Sequence, residues 1–258
     1  MQQQLTHSRR HQANRLGKYL SIVTVLVLMA ILGSCRHGWG KRVRGNGNIK
    51  TEDRSVGNFK NVEVGGSIDV YVSQGSPASV KLEGDENVIR YVEVNQEGDR
   101  LIVKNKDGFD LLPSGQMKIY VTAPVYNKIE VSGASDIIGQ GKISNPEDLE
   151  LGVSGAGDIK MELDAPRVRA DISGTGSIHL KGETKETEFS LSGVGSAHCY
   201  DLLSENTRVD ISGTGSADVY ASVGLDAQVS GLGSIHYKGN PTNVKQNVSG
   251  AGSISRSN

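Results

Sequence analysis

One heptapeptide recurs through the second half of the chain at a nearly constant interval. It reads VSGASDI at Val131, VSGAGDI at Val153, ISGTGSI at Ile172, LSGVGSA at Leu191, ISGTGSA at Ile211, VSGLGSI at Val229 and VSGAGSI at Val248. Successive copies start 22, 19, 19, 20, 18 and 19 residues apart. Helix-pair repeats need about 33 residues or more. A period near 19 suits one coil of a parallel β-solenoid, in which each repeat buries its apolar side against its neighbours.

The residues around each copy support that reading. Val168, Ala170 and Ile172 alternate with Arg167, Arg169 and Asp171; past the motif, Ile178 and Leu180 alternate with Ser177, His179 and Lys181. Period 2 on both sides predicts two short half-buried strands per coil. Glycine suits the S-G-x-G corner because it accepts positive φ and lets coils approach closely. The opposite corner carries turn compositions such as Asp164-Ala165-Pro166, Lys181-Gly182-Glu183 and Gly239-Asn240-Pro241, and is expected to absorb the variation in spacing. Stacking predicts two inward columns, Val153-Ile172-Leu191-Ile211-Val229-Val248 and Ile159-Ile178-Ala197-Ala217-Ile235-Ile254. Cys199 falls inward with Met161, Leu180, Val219 and Tyr237, as a small buried thiol.

Two earlier segments match the template: VRGNGNI at Val43 and, more loosely, VGGSI at Val64. Residues 45–130 read as short strands separated by turns such as Gln74-Gly75-Ser76-Pro77 and Glu97-Gly98-Asp99. They are expected to form hairpins or irregular coils that continue the stack and cap it, with the repeat solenoid occupying 131–258. The fold class is therefore all-β.

Residues 1–34 have the form of an export signal. Arg9, Arg10, Arg15 and Lys18 precede the apolar run LSIVTVLVLMAIL from Leu20 to Leu32. That run is shorter than the roughly 20 residues of a membrane span. Leu32-Gly33-Ser34-Cys35 resembles a bacterial lipobox, which implies cleavage before Cys35 and a lipid on its thiol. Residues 35–44 then form a basic tether, with Arg36, Lys41, Arg42 and Arg44, suited to an anionic head-group layer. The expectation is an exported lipoprotein anchored in the membrane, most simply the outer membrane. With Cys35 lipidated, Cys199 has no disulfide partner. Without residues 1–34 the chain keeps 24 basic and 29 acidic residues, which argues against nucleic acid as a partner.

FKNVEVGGSIDVYVSQG at Phe59, VKLEGDENVI at Val80, EGDRLIVK at Glu97, MKIYVTAP at Met117 and YNKIEVSGASDI at Tyr126 occur in that order before the repeats. With them the chain resembles the auto-transporter adhesin "head GIN" domain family, a domain of unknown function. The resemblance covers most of the chain after residue 34. It implies adhesion at the cell envelope and supplies no catalytic residues.

The residues themselves give an enzyme little support. Polysaccharide-cleaving β-helices need clustered carboxylates on one exposed face. Here Asp136 and Asp158 share a repeat position that becomes Ser177, Ser196, Ser216, Ser234 and Ser253 in later coils. Calcium-binding β-rolls have a nine-residue period with an Asp in each repeat. The G-x-G pairs are followed by neither a helix pattern nor the Lys-Ser/Thr of a phosphate loop.

One outward position holds metal-ligand chemistry. Immediately after the motif stand Lys160, His179, His198, Asp218, His236 and Ser255. Coils stack about 4.7–4.9 Å apart, so His179, His198, Asp218 and His236 are expected to form a ladder and a candidate zinc site. No cofactor is otherwise implied. The functional reading is a non-enzymatic envelope lipoprotein, an adhesin or binding module for an envelope protein or glycan. The alternative is a periplasm-facing structural or regulatory lipoprotein, and a carbohydrate-active enzyme is the weakest of the three. Self-association through the final coil is a further expectation.

Overall fold

The computed structural model describes residues 40–257. In chain order the strands are β1 (Lys41–Arg44), β2 (Ile49–Arg54), β3 (Asn61–Val64), β4 (Asp69–Gln74) and β5 (Ser79–Asp85). One helical turn, α1 (Glu86–Ile89), leads to β6 (Val92–Glu97), β7 (Arg100–Asn105), β8 (Phe109–Leu112) and β9 (Lys118–Ala123). The coils then run through β10 (Lys128–Val131), β11 (Ile137–Ser144), β12 (Leu149–Val153), β13 (Ile159–Ile172), β14 (Ser177–Leu191), β15 (Ser196–Ile211), β16 (Ser216–Tyr220), β17 (Gly224–Val229), β18 (Ser234–Lys238), β19 (Asn243–Val248) and β20 (Ser253–Arg256).

The predicted stacking is observed. Strand pairing is parallel from coil to coil and places Val153, Ile172, Leu191, Ile211, Val229 and Val248 opposite one another in that order. The second column, from Ile159 to Ile254, is equally in register. Both columns are buried until the last coil, where nothing among the described residues packs beyond β19 and Val248 is 44% exposed. Cys199 is buried, and burial pushes its thiol up to about 12. The protonated sulfur is a core atom rather than a nucleophile.

Three expectations are corrected. A fourth, that the segment before Val131 continues the stack, holds: β3 pairs in parallel with both β10 and β7, and β4 with both β11 and β9. VGGSI at Val64 is thus a true coil corner, with Val64 opposite Val131. The coil of β3 and β4 lies between two coils that follow it in sequence. The antiparallel pairs β5–β9, β2–β5 and β6–β7 form the expected cap.

VRGNGNI at Val43, by contrast, is not a corner. β1 pairs with β8 in a separate two-stranded sheet, and Lys41–Arg44 are a strand rather than the end of a tether. The glycines of this segment serve the buried Asp85 instead. Its carboxylate accepts from Gly47 N (2.7 Å), Ser114 N (2.8 Å) and Ser114 Oγ (2.7 Å). Burial opposes the charge, but these hydrogen bonds outweigh it and hold the carboxyl below its usual range.

The spacing variation is not confined to the second corner. One extra residue enters β15 between His198 and Asp201, and two enter β11 between Ile138 and Lys142. In β13 to β15 the second corner is a bend in one continuous strand, with Leu163↔Gly182 and Ala165↔Thr184 still paired. Gly182 has φ 122°, and a Cβ there would lie 1.9 Å from the Leu163 carbonyl oxygen.

At the S-G-x-G corner the expected close approach of coils is observed, whereas the expected positive φ occurs among the corner glycines at Gly66 and Gly250 alone. Gly155, Gly174, Gly193, Gly213 and Gly231 are absent from the positive-φ residues. Each lies directly on the glycine one coil below, so that a Cβ on Gly174 would sit 1.9 Å from the Gly155 carbonyl oxygen. That oxygen accepts a hydrogen bond from Thr175 N at 2.9 Å, and the same bond recurs at Val194 and Thr214, both at 3.1 Å.

Two stability predictions follow from this packing. Gly174→Ala should destabilise by about 1–3 kcal/mol or more, the range of an overpacked site, while Thr175→Ala on the exposed side of the same corner should change little. Ile172→Asp should cost roughly 4 kcal/mol or more as an unpaired buried charge, against about 1 kcal/mol or less for Arg169→Ala on the outward side. Chemical denaturation of the four variants checks both orders; equal losses within either pair would refute the register.

Candidate functional site

A solenoid turns each outward repeat position into a row, so candidate sites are rows of side chains. On the strands before the S-G-x-G corner, one row reads Lys128, Glu150, Arg169, Glu188, Arg208, Asp226, Lys245. The charge changes sign at every rung. Arg169 lies 3.7 Å from Glu150 and 3.2 Å from Glu188, and Arg208 lies 3.5 Å from Asp226. Each pair is solvent-exposed and weak by itself. Together the pairs leave this face electrically self-satisfied, a poor electrostatic lure for a charged polymer. The alternation is visible in the sequence once the coils are aligned, but period-2 reading within single coils misses it.

The corner presents a different surface. A groove of about 420 Å³ runs along it. One wall is the row Asp171, Ser190, Asp210, Gln228, Asn247, and the other is formed by motif serines such as Ser192 and Ser212. The motif supplies these serines once per coil, and its glycines bring neighbouring corners together. Ser154 and Ser230 turn their hydroxyls onto carbonyls one coil below, at 3.2 and 3.4 Å.

Asp136 and Asp158 each accept a backbone hydrogen bond from the next coil. Asp136 Oδ1 accepts from Asp158 N at 2.9 Å, and Asp158 Oδ1 accepts from Ser177 N at 2.8 Å. Each carboxylate ties its corner to the next, and serine takes over the position in later coils. Ser196 and Ser216, for example, share a hydroxyl–hydroxyl bond of 3.0 Å.

The strands after the corner carry the histidine row. Pairing gives Tyr120, Tyr71, Ile138, Lys160, His179, His198, Asp218, His236, Ser255 on successive rungs. His179, His198, Asp218 and His236 are therefore neighbours in the order read from the sequence. The His179 and His198 rings stack with centroids 4.7 Å apart and 25° between planes. His198 Nδ1 is 3.0 Å from Asp218 Oδ2, and His236 Nδ1 is 3.4 Å from Asp218 Oδ1. His198 and Asp218 thus meet directly, with no room for an ion between them. Among the described residues no three ligand side chains converge on one point. Burial first, then the charges of His198 and Lys160, pull the His179 ring below its usual pKa.

Beside this row lies a second groove of about 590 Å³, bordered by Lys160, His179, His198, Tyr200 and Asp218. Tyr200 lies within the one-residue bulge after His198, so that Asp201 and not Tyr200 pairs with Lys181. Cys35, the residue read as the lipid attachment point, lies outside the described residues. Within them no helix is long and apolar enough to cross a membrane.

Known proteins match this architecture. A crystal structure of a putative adhesin from Bacteroides fragilis superposes with a TM-score of 0.80 at 23% identity, over 83% of this chain and 100% of that one. A putative lipid binding protein from Parabacteroides distasonis gives 0.72 at 23% identity, over 84% and 100%. A putative adhesin from the same organism gives 0.67 at 25% identity, over 84% and 100%. Comparison with curated proteins gives no match. The family described as "Putative auto-transporter adhesin, head GIN domain" matches residues 58–241, most of the solenoid and its cap, and the chain belongs to that family.

Proposed function

We propose that the protein is a non-enzymatic binding module of the cell envelope, and that its ligand is an extended, polar polymer of the glycan class held along the corner groove. The observation that carries this reading is the pair of polar rows on that groove, repeated at the coil spacing of about 4.8 Å. Such rows offer hydroxyl, amide and carboxylate groups at intervals suited to a chain of repeating hydroxyls. Charged groups on the charge-alternating face pair with one another across the rungs, and of the groove row Asp210 is drawn to Arg208 at 2.9 Å. A glycosidase would need two carboxylates held across a scissile bond at about 5–9.5 Å. The acids that share a motif position, Asp136 and Asp158, are engaged with backbone N–H groups instead.

Family membership supports an adhesive role, and the lipobox-like segment ending at Cys35 supports anchorage through a lipid. The basic residues after Cys35 suit an anionic membrane surface.

Two experiments test these readings. Ser192→Trp fills the middle of the groove from an outward position, so it should abolish retention on immobilised envelope polysaccharide without changing the melting temperature. Retention equal to that of the unaltered chain, or no retention by either, refutes the groove as a glycan site. Cys35→Ser should move the protein from the membrane fraction to the soluble fraction or leave it unprocessed. Unchanged processing with membrane retention refutes the lipid anchor.

A further inference from the structure

The histidine row combines two features that neither the adhesive reading nor the corner groove uses. First, Asp218 is approached from both sides, by His198 Nδ1 at one carboxylate oxygen and by His236 Nδ1 at the other. A carboxylate oxygen only accepts hydrogen bonds, so His198 donates from Nδ1, and in its neutral form its Nε2 is the lone pair. This is the carboxylate–histidine arrangement that orients ring nitrogens toward a metal in many metalloproteins. Second, His179 lies on the rung before His198 with its ring stacked over that oriented imidazole.

We propose that His179 and His198 form a binding site for a divalent transition metal of the zinc, nickel or copper class, with Asp218 as the positioning residue behind His198. The distances allow it. Two nitrogens bound at about 2.0–2.1 Å around a tetrahedral ion lie about 3.4 Å apart. The ring centroids are 4.7 Å apart with 25° between planes, and imidazole lone pairs lie in the ring planes, so both rings must turn out of their stack by side-chain rotation to point at one ion. The adjoining groove leaves space for water to complete the coordination shell. Nitrogen donors select this class of metal over calcium or magnesium, which take oxygen ligands.

Asp218 serves as the outer partner, because its Oδ2 is taken up by His198 Nδ1 at 3.0 Å. His236 leans on Asp218 from the far side, two rungs from His198 and three from His179, and lies too far along the row to join the pair. The site is therefore smaller than the four-residue ladder expected from the sequence. It has two protein ligands, one outer carboxylate and one bystander.

The test is zinc titration of the full chain in detergent, followed by calorimetry and repeated with cobalt for its ligand-field absorption. His7, His11, His37 and Cys35 also lie in the chain, so the site is read as the difference between variants. His179→Ala and His198→Gln should each weaken one equivalent of binding at least tenfold. Asp218→Ala should weaken it about 10–100-fold, the usual effect of losing such an outer partner. It should also move the His198 proton from Nδ1 to Nε2, read from the nitrogen chemical shifts of the metal-free protein. His236→Ala should leave the affinity within about twofold. All four positions face solvent, and unchanged melting temperatures without metal confirm that each variant is folded. Wild-type affinity in the His179→Ala/His198→Gln double variant overturns the proposal, as does a loss that follows His236 instead of His179.

Discussion

The hydrogen bond from the N–H of one corner to the glycine carbonyl of the corner below sets the geometry of the whole solenoid. Thr175 N reaches Gly155 O, Val194 N reaches Gly174 O, and Thr214 N reaches Gly193 O. The bond draws successive corners so close that even a methyl group on the glycine would overlap the accepting oxygen. This close approach keeps the strands on both sides in parallel register. The register in turn places Ile172 between Val153 and Leu191, and Ile178 between Ile159 and Ala197. The requirement for glycine is thus a matter of backbone proximity between coils more than of unusual φ within one.

Register has a second consequence on the outer surface. Every outward position becomes a row with a rung about every 4.8 Å, so a side chain's nearest neighbours are those about 19 residues away. Arg169 is placed between Glu150 and Glu188, and Asp218 between His198 and His236. Three surfaces with different chemistry result from one backbone: a charge-alternating face, a polar groove along the corner, and a face carrying imidazoles. The solenoid is a ruler, and the residues placed on it decide what each edge can hold.

Where coils depart from the ruler, local chemistry changes. The extra residue between His198 and Asp201 makes Asp201, instead of Tyr200, the partner of Lys181, while Tyr200 borders the groove beside the histidine row. The continuous bend of β13 to β15 buries hydroxyls that have to be paired inside the corner. Thr187 bonds Thr207 at 2.8 Å, and Thr207 also donates to the Tyr220 carbonyl at 2.6 Å. A turn-forming composition at Asp164-Ala165-Pro166 or Lys181-Gly182-Glu183 gives no sign of these internal bonds, because the partners lie on the next coil.

The sequence by itself determined the repeat, its length, the alternation of inward and outward residues and the order of the histidine row, because these depend on local period and on a motif that recurs at constant spacing. It also determined that residues before Val131 would continue and cap the stack. Only the tertiary structure decided that β3 and β4 sit between coils that come later in the chain, and that VRGNGNI serves Asp85 instead of forming a corner. The same holds for the two carboxylate oxygens of Asp218, which face different rings. Each of these depends on which distant segment comes to lie alongside another. Local period specifies which face a side chain occupies, whereas its partner is chosen by packing across tens of residues, where similar strands compete for the same edge.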